Sequence, residues 1–315
     1  MNKRIYYIFS LIILSVLSSS CTAKGEPQTL KIGVLPILDT LPAHVALEQG
    51  YFEDQGLTVE LIPVSSAIER DQLMQAGQLD GMLNEMVSTL FYNQGENQIR
   101  IVRYARVASS KAPLFRILAS SESNITDAEG LMQVQIGISD GTVIEYVTDR
   151  LLEHAGYEID AIQKISVPKI PDRLALLSSG ELDAAVLPDP LSSLAIQQGA
   201  VVALDDTSYP EISTSVWSFD LEVLQSRSDT VKAFLIAIEK AVNDINSNKD
   251  QWKDLMVEKQ LVPPPVLSAY EIPDFPLASV PGENQFQDAL QWGLEKELII
   301  QDLQYTDIVD ASYLP

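Results

Sequence analysis

From residue 30 to about residue 204, short apolar runs alternate with segments of helical periodicity, and this alternation leaves few folds open. Runs at 30–35, 58–64, 80–83, 99–107 and 114–119 read as strands, with helices at 43–49 and 68–76 among them. The series restarts with strands at 134–139, 162–167, 184–187 and 201–204, and with helices at 143–154, 172–177 and 191–197. Gly50, Gly77 and Gly156 stand just past helix ends, where a left-handed residue stops a helix at little cost. Such alternation predicts α/β architecture with parallel sheets.

The sequence also echoes itself. RDQLMQAGQLDGML begins at Arg70 and RLALLSSGELDAAV at Arg173, so that Arg70 and Arg173, Gly77 and Gly180, Leu79 and Leu182, and Asp80 and Asp183 align at a single offset. Each copy reads as helix, glycine stop, acidic turn and small-residue strand. Any αβ unit has this form, but the shared offset predicts two lobes of similar build. A length of 315 residues also suits about two domains. Past Glu222 the pattern turns helical, at 231–245, 251–259 and 285–298, around a Pro-rich stretch at 262–281 expected to run extended along a surface.

The first residues read as an address. Lys3 and Arg4 precede an apolar run at 5–17, too short to span a bilayer comfortably, and Ser18, Ser19 and Ser20 follow. Residues 1–20 are therefore expected to be a secretory signal peptide. Cys21, the chain's single cysteine, comes next and resembles the lipidated cysteine of bacterial lipoproteins. Ser18 stands where such signals usually carry leucine, with Leu17 one place earlier. Residues 21–29 then form a polar tether, and acylation of Cys21 would hold the protein at a membrane.

Composition narrows the function classes. One cysteine excludes an intramolecular disulfide and CxxC zinc or redox pairs, and two histidines, His44 and His154, argue against a histidine-rich metal cage. The net charge of −23 repels nucleic acid and anionic lipid. Neither metal nor cofactor is expected.

The segment KIGVLPILDTLPAHVALEQGYFEDQGLTVEL, from Lys31 to Leu61, resembles the opening of the solute-binding proteins related to the sulfonate, taurine, nitrate and thiamine-precursor receptors. The AGQLD and SGELD turns, SESNITDAEGL, GTVIEYVTDRLLEHAG and the ending YTDIVDASYLP share the resemblance, which spans residues 30–315. It implies a two-lobed periplasmic-binding-protein fold of the second type, with the ligand cleft between lobes. Lobe one is then 30–110 with 214–315 and lobe two 111–213, joined by crossings near 109–113 and 209–214. It also implies a monomeric extracytoplasmic lipoprotein that passes a small molecule to an ABC permease and its ATPase. The alternatives are a cofactor-biosynthesis enzyme on the same fold and a ligand-sensing input to a membrane receptor.

In this topology, loops that follow strands face the cleft. Asp39, Ser66, Asn84 and Glu85 are the candidates in lobe one, and Ser139, Thr142 and Asp189 in lobe two, with Trp217 as a stacking surface. Local explanations compete: Ser66 with Glu69 makes a capping box, Ser139 or Thr142 makes an N-cap, Asp189 serves a turn between Pro188 and Pro190, and Trp217 packs. Arg70 and Arg173 fall in first helical turns, where pairing with Asp71 and Asp172 competes with reaching an anionic ligand. The acids among these candidates point to a neutral or cationic ligand, an amine or a nitrogen heterocycle.

Overall fold

The computed structural model describes residues 28–95 and 98–315, so the expected signal peptide and Cys21 lie outside the described residues. Two five-stranded sheets organise the chain. The first contains β1 (Gln28–Val34), β2 (Leu57–Pro63), β3 (Gly81–Asn84), β4 (Ile99–Val107) and β10 (Thr214–Asp220), in the order β2-β1-β3-β10-β4. The second contains β5 (Phe115–Ala119), β6 (Gln135–Ile138), β7 (Gln163–Ser166), β8 (Ala184–Pro188) and β9 (Val201–Asp205), in the order β7-β6-β8-β5-β9. β4 leads out of the first sheet into β5 of the second, and β9 returns to β10.

Each sheet has a parallel trio, β2-β1-β3 and β7-β6-β8, as the alternating pattern predicts. The expectation of parallel sheets is corrected beyond these trios. β10 runs antiparallel to β3 and β4, and β5 runs antiparallel to β8 and β9. The cause is the connection: a strand that enters directly from the other sheet needs no helical crossover, so nothing forces it parallel. β10 is buried along six of its seven residues. Its sequence, TSVWSFD, is buried on both faces yet mixes polar with apolar side chains, so neither alternation nor an apolar run marks it as a strand.

The internal echo is a structural duplication. β1 meets β3 at Ile32 and Gly81, and β6 meets β8 at Ile136 and Ala184. Gly33 and Gly137 occupy matching places, and at each an added Cβ would fall 2.6 Å from a leucine methyl, Leu79 or Leu182. Both glycines let the following unit pack directly on the strand.

Aromatic packing builds the core of the first lobe, and a second set of contacts joins it to the other. Phe234, from the helix Ser228–Ser247, stacks on Phe52 at 5.2 Å and meets Trp217 and Phe219 edge-on. At one rim of the interface, Trp292 of the helix Glu283–Glu295 stacks on Phe91 and donates its indole N–H to Asp149 Oδ2 at 3.0 Å. Asp149 belongs to the helix Val143–His154, which follows β6 of the second sheet. Lys296 Nζ, 2.8 Å from the same Asp149 oxygen, and Arg150 with Asp288 add ion pairs there. The Pro-rich stretch, expected to run extended along a surface, instead opens on a 3-10 turn at Pro264–Val266, continues without regular structure and is partly buried. Val262, Val266, Tyr270, Ile272 and Phe275 are buried, and Gln197 Nε2 donates to the Pro265 carbonyl at 3.0 Å.

Candidate functional site

The carboxyl ends of β1 and β3 face those of β6, β7 and β8 across a cavity of about 60 Å³. Its wall is largely apolar, with Leu35, Ile37, Phe115, Val143, Ile144 and Ile170 among the lining residues. Asp39, Arg70, Asn84, Glu85, Ser139, Thr142, Arg173, Thr214 and Ser215 supply the polar part. Of the eight ligand candidates from sequence, Asp39, Asn84, Glu85, Ser139 and Thr142 come together here.

The other three lie elsewhere. Ser66 caps the helix Ala67–Gln75, its hydroxyl accepting from Glu69 N at 3.1 Å, while the Glu69 carboxylate reaches back to Ser65. Trp217 is fully buried against Phe234 and offers no face to the cleft. Asp189 lies behind the cavity wall, in an ion-pair network.

The acids are already matched with cations, which removes the charge argument for a neutral or cationic ligand. Arg106 Nη1 donates to Asp39 at 3.2 Å and Arg106 Nη2 to Asp189 at 3.3 Å. Arg116 Nη1 adds a second bond to Asp189 at 3.2 Å, and Tyr270 and Ser193 donate to the same carboxylate. Arg70 holds Glu85 at 3.0 Å and Asp71 at 2.8 Å. Burial alone would lower the Arg70 guanidinium, but Asp71 and Glu85 together hold it above its ordinary value. Burial lifts the Glu85 carboxyl above the usual range, with Arg70 opposing and Asp71 adding to the lift. Glu85 also caps the helix Met86–Tyr92 by accepting from Ser88 N at 2.7 Å. Asn84 is occupied too: it donates to Thr89 Oγ1 at 2.9 Å and accepts from Ser218 Oγ at 2.6 Å.

Arg173 is different. Arg70, Arg103, Arg106 and Arg173 are among the largest fully buried side chains. The first three each hold an acid: Asp71 and Glu85, then Glu239, then Asp39 and Asp189. Arg173 binds only carbonyl oxygens among the described residues: Val186 at 2.7 Å, Val167 at 2.7 Å and Pro168 at 3.3 Å. The expected pairing with Asp172 does not form. Burial pushes the guanidinium down to about 10, still charged at neutral pH.

The duplication explains the contrast. Arg70 Nη1 bonds the Leu83 carbonyl in β3, and Arg173 Nε bonds the Val186 carbonyl at the matching place in β8. Two residues past Leu83 stands Glu85, the partner of Arg70. Two residues past Val186 stands Pro188, which can neutralise nothing. The second lobe therefore keeps the arginine and drops its acid. Among the described residues Arg173 Nη2, Ser139 Oγ and Ser215 Oγ are buried with no hydrogen-bond partner, and all three residues line the cavity. Three unsatisfied polar groups, one of them charged, around a small apolar cavity could together donate to an anion. Thr142 caps the adjoining helix by accepting from Ile144 N at 3.2 Å, so the positive end of that helix opens on the same cavity.

Arg106, Arg116, Ser215 and Tyr270 were not among the candidates from sequence. Arg106 carried a signal: it sits in the apolar strand IRIVRYARV, and arginine is almost never buried without a partner.

A protein of Brachyspira hyodysenteriae named as an ABC transporter periplasmic binding protein is 22% identical over 78% of this chain and 77% of its own length. An Escherichia coli protein named as aliphatic sulfonates-binding is 22% identical over 82% of this chain and 80% of its own. The crystal structure of the alkanesulfonate-binding protein SsuA from Xanthomonas axonopodis, bound to MOPS, superposes with a TM-score of 0.76 at 16% identity, covering 91% of this chain and 99% of that one. It shares the two-lobed periplasmic-binding-protein fold expected from the sequence. The family model described as NMT1/THI5 like matches residues 38–251, and the chain belongs to the NMT1/THI5-like family.

Proposed function

We propose that this protein is the extracytoplasmic solute-binding component of an ABC importer and that its solute is a small organic anion, a sulfonate or a carboxylate. The observation that carries the reading is Arg173, a buried cation with an unpartnered Nη2 and no acid beside it among the described residues. The anion's charged end accepts from Arg173, with Ser139 and Ser215 as neighbouring hydroxyl donors. Its apolar body rests against Leu35, Ile37, Phe115 and Ile170. The relatives' names support an importer and, in one case, a sulfonate solute. The signal-like segment and Cys21 support export and a lipid anchor, with a permease and its ATPase as partners of a monomeric receptor. An amine or heterocyclic solute loses its rationale, because Asp39 and Asp189 are bonded to Arg106 and Glu85 to Arg70.

A thermal-shift screen tests this reading. Methanesulfonate, taurine, nitrate, short carboxylates, amines and pyrimidines are each added to the purified protein. An anion at about 100 times its Kd adds about 2.7 kcal/mol and raises the melting temperature. Stabilisation by an amine or a pyrimidine alone overturns the anion assignment.

A further inference from the structure

Behind the inner cavity lies a second one, of about 420 Å³. It is lined by Lys111, Pro113, Arg116, Asp189, Ile196 and Tyr270, among others. The two cavities meet back to back. Phe115 and Pro188 line the inner one, while their chain neighbours Arg116 and Asp189 line the outer one, as alternation along a strand requires. Between them stands one row of paired side chains. Asp39 faces the inner cavity, Arg106 bonds Asp39 on one side and Asp189 on the other, and Tyr270 donates to Asp189 from the Pro-rich stretch.

We propose that the Asp39–Arg106–Asp189 row, buttressed by Tyr270, is a partition that sets the longest solute the protein accepts. This rests on the anion reading above. Asp39, Arg106, Asp189 and Tyr270 are exposed by 4%, 1%, 5% and 9%, so the row excludes water as well as solute. With Arg116 it joins two cations to two acids, which leaves its own charge balanced and Arg173 as the cation offered to a solute. Moving the row to admit a longer tail would break ion pairs out of contact with water, a far larger cost than the tail's burial returns. The inner cavity holds about four water-sized groups at ~15 Å³ each, enough for a charged head and the first carbons. Longer tails are refused although empty volume lies beyond the row.

The test is a chain-length series, from methanesulfonate to octanesulfonate and from acetate to octanoate, by calorimetry on the wild-type protein and two variants. An open apolar cleft would gain about fourfold in affinity per added methylene along the series. The partition instead predicts a maximum at the shortest members and a fall of tenfold or more beyond it. In the Asp39→Ala/Arg106→Ala double variant one cation and one acid leave together, and Asp189 keeps Arg116 at 3.2 Å. Its optimum should move to longer chains, whereas Ile196→Ala, which trims the outer cavity's wall and leaves the row untouched, should show the wild-type profile. Affinity that rises through octanesulfonate in the wild type overturns the partition, whether or not the double variant folds. So does a folded double variant with an unmoved optimum. If no member of either series binds the wild type while an amine or a pyrimidine does, the anion reading fails and the partition falls with it.

Discussion

Replacing Arg173 by methionine separates the proposed anion-binding charge from the lobe's architecture. In the wild type, burial holds the guanidinium at about 10 against an ordinary 12.5, which corresponds to a cost of about 3 kcal/mol for keeping the charge in the empty site. Methionine removes that cost and the charge together. It also strands the carbonyls of Val167, Pro168 and Val186, each worth about 1 kcal/mol or more. The two effects oppose and are of similar size, so the empty variant should unfold near the wild-type denaturant midpoint. The bound state has no such compensation. A charge-assisted hydrogen bond from Nη2 contributes about 1.5–3 kcal/mol, so the variant should bind a small anion about ten- to 150-fold more weakly. Calorimetry with the anion chosen by the thermal-shift screen reads the loss directly, and Arg173→Lys, which keeps the charge but not the planar fork, should fall between. An Arg173→Met protein that binds the anion within twofold of the wild type refutes the assignment.

Asp189→Ala should act on stability, because Arg116 loses its acid and Arg106 one of two. Urea denaturation is expected to show a loss of about 3–5 kcal/mol, and an unchanged midpoint with a collapse in affinity would instead make Asp189 a ligand contact. Asp206 accepts from the backbone N–H groups of Leu114 and Phe115 and so ties the two crossings together, while burial pushes its carboxyl up to about 6. With the folded value above the unfolded one, the folded chain binds the extra proton between about pH 4 and pH 6, and stability falls by about 3 kcal/mol as pH rises through that window. The Asp206→Asn protein should lack this slope, and parallel pH profiles from denaturation of the two proteins would contradict it. In a bacterial host, mass spectrometry of the mature N-terminus should find a lipid-modified Cys21, and cleavage elsewhere would remove the anchor from the account while leaving export intact.

The fold was largely legible because its main signals are local. Helix stops at Gly50, Gly77 and Gly156 and the paired Arg–Gly–Leu–Asp echo are written in single residues or short runs, and each corresponds to a turn or a duplicated unit. β10 is harder, since buried on both faces it shows no alternation, and the place of Trp217 at the returning crossing suggests a cleft residue where the structure has a core one. The candidate site is legible in position but not in charge. Asp39, Glu85, Ser139 and Thr142 lie where strand ends predict, but the state of an acid depends on partners distant in sequence. Arg106 reaches across 67 positions to Asp39 and 83 to Asp189, and no local pattern reports such pairings. Arg70 and Arg173 look equivalent in sequence, and their difference rests on one later position, Glu85 against Pro188.

The most direct test of the account is a crystal structure with the best anion from the screen bound. The anion's oxygen should lie within hydrogen-bond distance of Arg173 Nη2, with Ser139 or Ser215 beside it, its body against Phe115 and Ile170, and the Asp39–Arg106–Asp189 row intact. A ligand whose positive group rests on Asp39 or Glu85, or one seated in the outer cavity with Arg173 still unpartnered, would contradict it.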